Sequence, residues 1–427
     1  MKIYLDTIGC RLNQSEIESM ARQFRAAGHE IVGTPGLADM AVVNTCAVTN
    51  DAAADSRSHI RGIARAGVEK IIATGCWATL QPKQAAALPN VIQVVPNPQK
   101  DHLVAETLNL PTFDLEPLSR QPLPGIHRRT RAFIKVQDGC DNHCTFCITT
   151  VARGEGRSRP IADVLLDIQS ALDGGTKEIV LTGVHLGSWG QDFGVHLRDL
   201  IRAILRETDT PRLRLSSLEP WDLDADFFSL WGPSSSSGRL MPHLHLPLQS
   251  GCESTLRRMA RKTTPKSFRE LVDAARETIP NVSITTDIIA GFPGETEEEF
   301  AESLAFVEKM EFSGGHVFSY SPRPGTGAAR MKGQVKSQVR KNRNHILRET
   351  LDKSENAYRQ KFIGQSMSVL WESTSELDEW GWQMDGLTGN YLRVKATASS
   401  PRWNEIDEVL LQETSAGVLK GVILNKG

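Results

Sequence analysis

The sequence predicts a multidomain α/β protein, with a doubly wound parallel domain first, a barrel-like parallel sheet in the centre and a small all-β domain last. Three observations lead to this prediction. Strand and helix patterns alternate through most of the chain, a Pro-rich stretch between residues 111 and 125 interrupts the alternation, and only short strand patterns follow residue 362. We therefore expect three domains, over residues 1–125, 126–362 and 363–427.

Composition excludes several classes of protein. Of the 427 residues, 40% are hydrophobic, which is enough to build several cores and excludes a disordered chain or a disulfide-stapled miniprotein. The 49 basic and 51 acidic residues nearly balance, so overall charge does not indicate a nucleic-acid partner. No apolar run approaches the roughly 20 residues that span a bilayer, and the start lacks the features of a secretory signal. We expect a cytoplasmic protein with no membrane partner and with reduced cysteines.

Three of the seven cysteines follow strand patterns in the first domain. Cys10, Cys46 and Cys76 each come shortly after a short run rich in β-branched residues, at 3–5, 40–43 and 71–73. Helical patterns at 15–27 and 51–66 separate the runs, which favours a parallel sheet. Because the carboxyl ends of parallel strands meet at one crevice, we expect the three cysteines to converge there. The alternative is that all three are inert core residues.

A second set of cysteines is compact. Cys140, Cys144 and Cys147 have the spacing C-x3-C-x2-C, and no fourth cysteine lies nearby. Three thiolates at this spacing can hold three irons of a [4Fe–4S] cluster and leave the fourth iron with an open position. An open position indicates chemistry rather than scaffolding, by analogy with zinc sites. The alternative is a structural zinc site with His143 or His127 as the fourth ligand.

The central domain shows six strand patterns, and Cys140 follows the first of them. The strand patterns lie at 132–136, 178–181, 212–215, 243–246, 282–286 and 315–318. Helical patterns include Ile161–Asp173 and a basic stretch at 334–361, whereas 234–238 is expected to be a solvated loop. Six strand–helix units imply a barrel-like parallel sheet with its site at the carboxyl ends of the strands.

The last domain has strand patterns at 366–370, 391–394 and 408–411. It carries nine acidic and five basic residues from Gln365 onward. A surface that binds a nucleic-acid backbone should be basic, so RNA contact here is expected only at a few residues such as Arg393, Lys395 and Arg402.

These motifs together resemble a known family. The spacing of Cys140, Cys144 and Cys147, with Phe146 before the last cysteine, resembles the radical S-adenosylmethionine (SAM) signature. With the upstream cysteines, the chain resembles the methylthiotransferase family. Further matching strings lie at 44–46, 138–140, 153–154, 158–159, 181–184, 216–220, 248–251, 286–295 and 320–326.

The resemblance implies a task for each cysteine set. Cys140, Cys144 and Cys147 would hold the radical SAM cluster, at which SAM is cleaved to a 5′-deoxyadenosyl radical. The dispersed set of Cys10, Cys46 and Cys76 would hold a second [4Fe–4S] cluster carrying the sulfur to be inserted. The central domain would be a partial six-stranded (β/α)6 barrel, and the last domain a TRAM-like RNA-binding barrel.

The resemblance also implies contacts around the two clusters. The residues expected to contact SAM are Phe146, Gly183, Glu219 and Gln249. Basic residues near the compact cysteine motif are expected to bind substrate, namely Arg128, Arg129, Arg153 and Arg157.

The subfamily is indicated by four strings, at 7–16, 43–49, 182–187 and 319–326, which look most like the enzymes that act on threonylcarbamoyladenosine. The expected function is therefore insertion of a methylthio group at C2 of N6-threonylcarbamoyladenosine next to the anticodon of tRNA. Expected partners are tRNA, an electron donor such as flavodoxin or ferredoxin, and a sulfur source. The alternatives are a methylthiotransferase for isopentenyladenosine in tRNA or for a ribosomal-protein aspartate, and a non-catalytic iron–sulfur RNA-binding protein.

Overall fold

A computed structural model describes residues 1–110, 130–232, 238–378, 381–415 and 417–424. The chain forms two compact units. The first comprises Met1–Asn142, Cys147–His185 and Trp189–Val195, and the second comprises His143–Phe146, Leu186–Ser188 and His196–Gly427. The predicted boundary at residue 125 and most of the loop predicted at 234–238 lie outside the described residues. The predicted boundary at 362 falls between the helix Ser337–Gln360 and the strand Ser366–Asp378.

The first unit begins with a five-stranded parallel sheet. In spatial order its strands are Glu30–Val32, Lys2–Thr7, Met40–Thr45, Ile71–Gly75 and Val91–Val95. The three strands predicted from the cysteine positions are the three central ones. The two edge strands were not predicted, because one has only three residues and the other is interrupted by the polar Gln93.

Helices cover both faces of this sheet. On one face Ile17, Met20 and Phe24 of the helix Arg11–Ala26 are buried in a core with Ile3. On the other face, the helices Asn50–Arg65, Cys76–Leu80 and Pro82–Ala86 pack in the second core. The helix Leu103–Leu108 packs in the first core. Apolar residues buried on both faces explain why the strands are continuously hydrophobic. The predicted doubly wound domain is confirmed.

The first unit also holds the start of the central sheet. The strands Arg131–Lys135 and Glu178–Thr182 are parallel, and the helix Ile161–Asp173 between them has the predicted bounds. After the compact cysteine motif comes a short helix, Thr149–Arg153. The two-residue strands Gln137–Asp138 and Arg157–Ser158 pair antiparallel.

The second unit contains the other four predicted central strands. They are Arg212–Leu215, His243–His245, Ser283–Ala290 and Gly314–Ser319. The last three form a parallel sheet in chain order. The helices of this unit are Leu197–Glu207, Glu253–Arg258, Pro265–Thr278, Glu297–Met310 and Ser337–Gln360.

The second unit ends in a closed five-stranded barrel. Its strands are Ser366–Asp378, Gly381–Thr388, Arg393–Ala398, Ile406–Ser415 and Val418–Ile423. Val369, Trp371, Val409 and Leu419 are fully buried in its core. The predicted small all-β barrel is confirmed, with two more strands than the sequence patterns indicated. Among the described residues, no helix is long and apolar enough to cross a membrane.

Candidate metal centres

The dispersed cysteines lie at the carboxyl ends of three neighbouring parallel strands. Cys10 directly precedes the helix Arg11–Ala26, Cys46 directly follows the strand Met40–Thr45, and Cys76 starts the helix that follows Ile71–Gly75. Cys46 and Cys76 are buried, whereas Cys10 is exposed. The structure therefore brings these three predicted ligands to one edge of the sheet.

Two observations show that the three thiols are close. Gly9 has a φ of +100°, and a Cβ built there would lie 2.5 Å from the sulfur of Cys46, so only glycine allows this approach. Burial, together with the charges of Cys10 and Cys76, raises the pKa of the Cys46 thiol to about 11. Within the described residues, no group of three or more His, Cys, Asp or Glu side chains is arranged so that it could hold a metal ion.

A network of buried charges lies beside these thiols. The guanidinium of Arg153 donates to Glu16 at 2.9 Å, to Asp138 at 2.9 Å and to the side-chain oxygen of Asn13 at 2.8 Å. The ammonium of Lys100 lies 2.8 Å from Glu16. Arg153, Glu16 and Lys100 are each less than 5% exposed. Asn13 also donates to the carbonyl oxygens of Ile8, which directly follows the strand Lys2–Thr7, and of Thr45, which ends the strand Met40–Thr45.

Contacts within this network shift the pKa values of Glu16 and Arg153 so that both side chains stay charged. Burial by itself raises the pKa of Glu16, but Lys100 and Arg153 outweigh it and hold that pKa well below its usual value. Burial lowers the pKa of Arg153, but Glu16 and the Cys76 thiolate hold it well above its ordinary value. The region therefore keeps buried positive charge close to Cys76.

Arg153 differs from the sequence expectation. It was expected to contact substrate, yet its side chain is 2% exposed and bonded to buried acceptors. The physical reason is that a buried carboxylate, Glu16, requires a charged partner, and Arg153 supplies it. In this structure Arg153 is part of the framework around the dispersed cysteines.

Asn97 was not singled out from the sequence. Its amide nitrogen lies 3.5 Å from the sulfur of Cys76 and donates to the carbonyl oxygen of Ala152 at 2.8 Å. It thus joins the dispersed set to the helix Thr149–Arg153, which begins two residues after Cys147. A single Asn after a strand has no pattern that distinguishes it from a turn residue.

In the compact set each sulfur has an N–H donor nearby. The backbone N–H of Asn142 lies 3.5 Å from the sulfur of Cys140, and that of Thr149 lies 3.4 Å from the sulfur of Cys147. Cys144, in the second unit, has its sulfur 3.8 Å from Nη1 of Arg261. N–H donors stabilise thiolates, so this donor set fits cluster ligands.

The loop before Cys140 is tightly packed. Gly139 has a φ of +73°, and a Cβ there would lie 1.8 Å from the carbonyl oxygen of Glu155. The N–H of Cys140 donates to the carbonyl of Gly154 at 3.0 Å. A glycine at 139 is therefore required for the cysteine loop to take this course.

Arg261 organises the part of the site that lies in the second unit. It donates to Glu219 at 2.6 Å and to the carbonyl of Pro247 at 2.7 Å, and its guanidinium lies over the ring of Trp221. Glu219, an expected SAM contact, is thereby fixed close to Cys144. Sequence reasoning did not identify Arg261, because no motif marks an isolated arginine after a helix.

The other expected SAM contacts lie at loop and strand ends. Phe146 packs edge-on against Phe292, with ring centroids 6.4 Å apart. Gly183 follows the strand Glu178–Thr182 and lies against the side chain of Gln137. Gln249 has a φ of +70°, and its backbone pairs with the strand Ser283–Ala290 on both sides, through Asp287 and Ile289.

Of the arginines expected to bind substrate, Arg128 and Arg129 lie outside the described residues. Arg157 is exposed and lines a cavity of about 560 Å³ in the first unit. The cavity wall also includes Glu16, Lys100 and Lys135. Arg157 is therefore open to solvent, unlike Arg153.

The basic residues of the barrel that the structure describes have acidic neighbours. Arg393 lies 3.7 Å from Glu372, and Lys395 lies 3.6 Å from Asp385. Arg402 pairs with Glu405 at 2.7 Å and with Asp407. These pairs reduce the positive charge that the barrel could offer to a phosphate backbone.

The zinc alternative gains no support from its proposed fourth ligands. His143 is exposed, and His127 lies outside the described residues. All seven cysteines are free thiols, so neither set is used in a disulfide. Both sets can therefore supply thiolate ligands, which are the ligands that iron–sulfur clusters require.

Comparison with known families gives two matches. Residues 2–96 match the uncharacterized protein family UPF0004, and residues 134–307 match the radical SAM superfamily. The first match contains all three dispersed cysteines, and the second contains all three compact ones.

Curated relatives extend the likeness to most of the chain. A threonylcarbamoyladenosine tRNA methylthiotransferase (MtaB) of Thermotoga maritima is 39% identical over 87% of this chain and 86% of its own length. The MtaB of Bacillus subtilis is 36% identical over 91% of this chain and 88% of its own length. A tRNA-2-methylthio-N(6)-dimethylallyladenosine synthase of Bacillus cytotoxicus is 33% identical over 88% and 77%.

Among solved structures, the radical SAM methyltransferase TsrM of Kitasatospora setae shares the fold. The TM-score is 0.59 at 15% sequence identity, and the match covers 77% of this chain and 75% of that one. At that identity the likeness concerns the architecture alone.

Proposed function

Because this chain belongs to the radical SAM methylthiotransferase family, we propose that it inserts a methylthio group at C2 of N6-threonylcarbamoyladenosine next to the anticodon of tRNA. The cofactors of the family are SAM and [4Fe–4S] clusters. The observation that carries the proposal is the presence of two separate thiol sets in a chain 39% identical to an MtaB enzyme.

The two thiol sets have different surroundings, which suits two clusters with different tasks. We assign Cys140, Cys144 and Cys147 to the radical SAM cluster, and the dispersed set of Cys10, Cys46 and Cys76 to the cluster that carries the sulfur. When bound, SAM and the clusters supply the one-electron chemistry needed to replace hydrogen at an unactivated carbon.

The protein's own groups adjust the charge at each set. Lys100 and Arg153 place positive charge beside the dispersed thiols, which offsets the negative charge of a thiolate-ligated cluster. At the compact set, backbone N–H groups and Arg261 face the sulfurs. Both arrangements favour cluster binding by thiolates.

SAM would be held by groups on strand ends. Gln249 is fixed by its pairing with the strand Ser283–Ala290, and Glu219 is fixed by Arg261, so both present a defined position to a ligand. Phe146 and Gly183 complete the proposed contacts, one as an apolar wall and one as a position without a side chain. Such fixed groups orient a cofactor without reorganisation on binding.

The tRNA partner would be bound by basic groups near the compact motif. Arg157 is exposed and is the proposed phosphate contact within the described residues, with Arg128 and Arg129 as further candidates from the sequence. An electron donor such as flavodoxin or ferredoxin and a sulfur source complete the proposed partners.

The proposal is tested with reconstituted protein, SAM, a reductant and tRNA carrying either threonylcarbamoyladenosine or isopentenyladenosine. We expect a methylthio product, identified by mass spectrometry of the nucleosides, on the first tRNA only. The matched control is Cys144→Ala, which should give no product on either. A product found only on isopentenyladenosine would support the proposed enzyme class but contradict the proposed nucleoside. It would match the relative from Bacillus cytotoxicus, which is named for dimethylallyladenosine.

A further inference from the structure

The side chain of Asn97 reaches one of the dispersed cysteines from a separate part of the chain. Asn97 begins the 3₁₀ helix Asn97–His102, which follows the strand Val91–Val95. Cys76 begins the helix that follows Ile71–Gly75. The two strands are parallel neighbours, so the residues after their carboxyl ends lie close together. The amide nitrogen of Asn97 is 3.5 Å from the sulfur of Cys76, where it can donate an N–H to that sulfur.

The amide of Asn97 is fixed in this orientation. Its nitrogen also donates to the carbonyl oxygen of Ala152 at 2.8 Å, and the reverse orientation would place two oxygens against each other. The backbone N–H of Asn97 donates to the hydroxyl of Thr79 at 2.9 Å, and that hydroxyl donates to the carbonyl oxygen of Gly75 at 2.8 Å. Side chain and backbone thus both tie Asn97 to the turn that carries Cys76. Asn97 is only 6% exposed, so its contacts are shielded from water.

The dispersed cysteines differ in the source of the N–H groups near their sulfurs. At Cys46 and Cys10 the neighbouring donors are backbone N–H groups, which do not depend on the identity of a side chain. At Cys76 the donor is the side-chain amide of Asn97. The surroundings of Cys76 are therefore set by the residue type at position 97.

An N–H that faces a ligating sulfur changes the energy of cluster reduction. A [4Fe–4S] cluster gains one negative charge when it is reduced, and hydrogen bonds to its sulfurs stabilise that charge. The donor therefore favours the reduced state and raises the reduction potential. The buried cations Lys100 and Arg153, which interact with the charge of Cys76, act in the same direction.

We propose that Asn97 is a positioning residue for the cluster assigned to Cys10, Cys46 and Cys76, and that its N–H holds the sulfur of Cys76 and raises the reduction potential of that cluster. The inference rests on the proposed function, which assigns a cluster to this set. Asn97 acts through the sulfur of Cys76. Its separate bond to Ala152 keeps the amide in place when the charge on that sulfur changes.

The test uses the full-length chain with Cys140→Ala, Cys144→Ala and Cys147→Ala, so that only the dispersed set can hold a cluster. This background chain and its variants are reconstituted with iron and sulfide without oxygen, and a redox titration followed by EPR spectroscopy gives the midpoint potential. Asn97→Leu removes the N–H at similar volume. We expect it to lower the equilibrium constant for reduction about tenfold, which is about 59 mV for one electron. Asn97→Ala leaves room for a water that can donate instead and should have a smaller effect.

The matched control is Asn90→Gly in the same background. Asn90 also donates its amide N–H to a backbone carbonyl oxygen, that of Val68, and glycine tolerates its φ of +60°. Asn90 directly precedes the strand Val91–Val95, so it lies at the opposite edge of the sheet from the cysteines. Asn90→Gly should leave the midpoint potential unchanged. Iron content is measured in every sample, so that loss of the cluster is distinguished from a shift in potential.

The outcomes separate the inference from the proposed function. Equal potentials in the background chain and in both Asn97 variants, at full iron content, overturn the inference while the proposed function stands. Loss of iron from both variants, with Asn90→Gly fully loaded, also overturns it, because Asn97 would then have a purely structural role. A background chain that binds no four-iron cluster contradicts the second cluster of the proposed function, and the inference with it.

Discussion

The guanidinium of Arg153 donates a 2.9 Å hydrogen bond to the carboxylate of Glu16, and both side chains are almost fully buried. Glu16 belongs to the helix that begins after Cys10, and Arg153 ends the short helix that begins just after Cys147. One ion pair therefore joins the chain segments that carry the two cysteine sets. Asp138, two residues before Cys140, bonds to the same guanidinium.

Breaking this ion pair should be costly. Arg153→Gln leaves Glu16 with less positive charge around it, and we expect a loss of about 3–5 kcal/mol in the free energy of unfolding of the apo-protein. Arg153→Lys keeps the charge and should lose less. The measurement is urea unfolding, with Arg257→Gln as the control, since that arginine forms an exposed pair with Glu253 and should change stability by about 1 kcal/mol or less. Equal effects of Arg153→Gln and Arg257→Gln would contradict the assigned role.

The raised pKa of Cys46 predicts a stability change at alkaline pH. Its folded-state pKa is about 11 against an ordinary value of 9.0, so the folded state holds the thiol proton more tightly than the unfolded state. The resulting stabilisation is present below pH 9 and is lost as pH rises toward 11. In apo-protein unfolded at a series of pH values, Cys46→Ala should show a shallower alkaline loss of stability than the unaltered protein. Parallel curves for the two proteins would show that Cys46 is not a buried thiol.

Arg261 should raise the reduction potential of the cluster proposed at the compact set. In a Cys10→Ala, Cys46→Ala, Cys76→Ala background only that cluster remains to be measured. Replacing Arg261 by Met removes a positive charge and an N–H donor beside Cys144, and we expect the midpoint potential to fall by on the order of 40 mV, equivalent to about 1 kcal/mol for one electron. Iron content is determined in the same samples, so that loss of the cluster is distinguished from a shift. An unchanged midpoint potential at full iron content would show that Arg261 does not raise the potential of this cluster.

Two buried arginines should hold the barrel strands in place. Arg212 donates to the carbonyl of Leu387 at 3.0 Å and Arg214 to that of Gly389 at 2.9 Å. Arg214→Ala leaves the carbonyl oxygens of Gly389 and Thr388 without this charged donor, at a cost of about 2–3 kcal/mol. We expect faster proteolysis within residues 366–424, measured by mass spectrometry of the fragments. The exposed Arg348→Ala is the control and should be cleaved like the unaltered protein, and equal rates for both variants would contradict the prediction.

The fold could be predicted largely from the sequence because its patterns are strong. The helix Ile161–Asp173 has apolar residues at helical spacing and keeps its predicted bounds. Short strands precede Cys46 and Cys76, and each begins with a run of apolar residues, which is typical of buried parallel strands. The strands Gly381–Thr388 and Val418–Ile423 were missed, because polar and glycine residues interrupt their apolar residues.

The candidate site was predictable only where covalent chemistry restricts residue type. The cysteines were identified because iron–sulfur clusters are held mainly by cysteine thiolates. Arg153, in contrast, was expected to face substrate, and only the fold shows that Glu16 needs its charge. Arg261 acts through neighbours that are distant in sequence, so no local pattern could mark it.

The central claim is the reaction on tRNA, and its most direct test is mass spectrometry of tRNA nucleosides from cells that lack the native activity. The cells express the unaltered protein, Cys144→Ala or Cys46→Ala, one variant from each thiol set. We predict a methylthio adduct of threonylcarbamoyladenosine with the unaltered protein and none with either variant. An unchanged nucleoside profile with the unaltered protein, or an adduct that persists in both variants, would contradict the account.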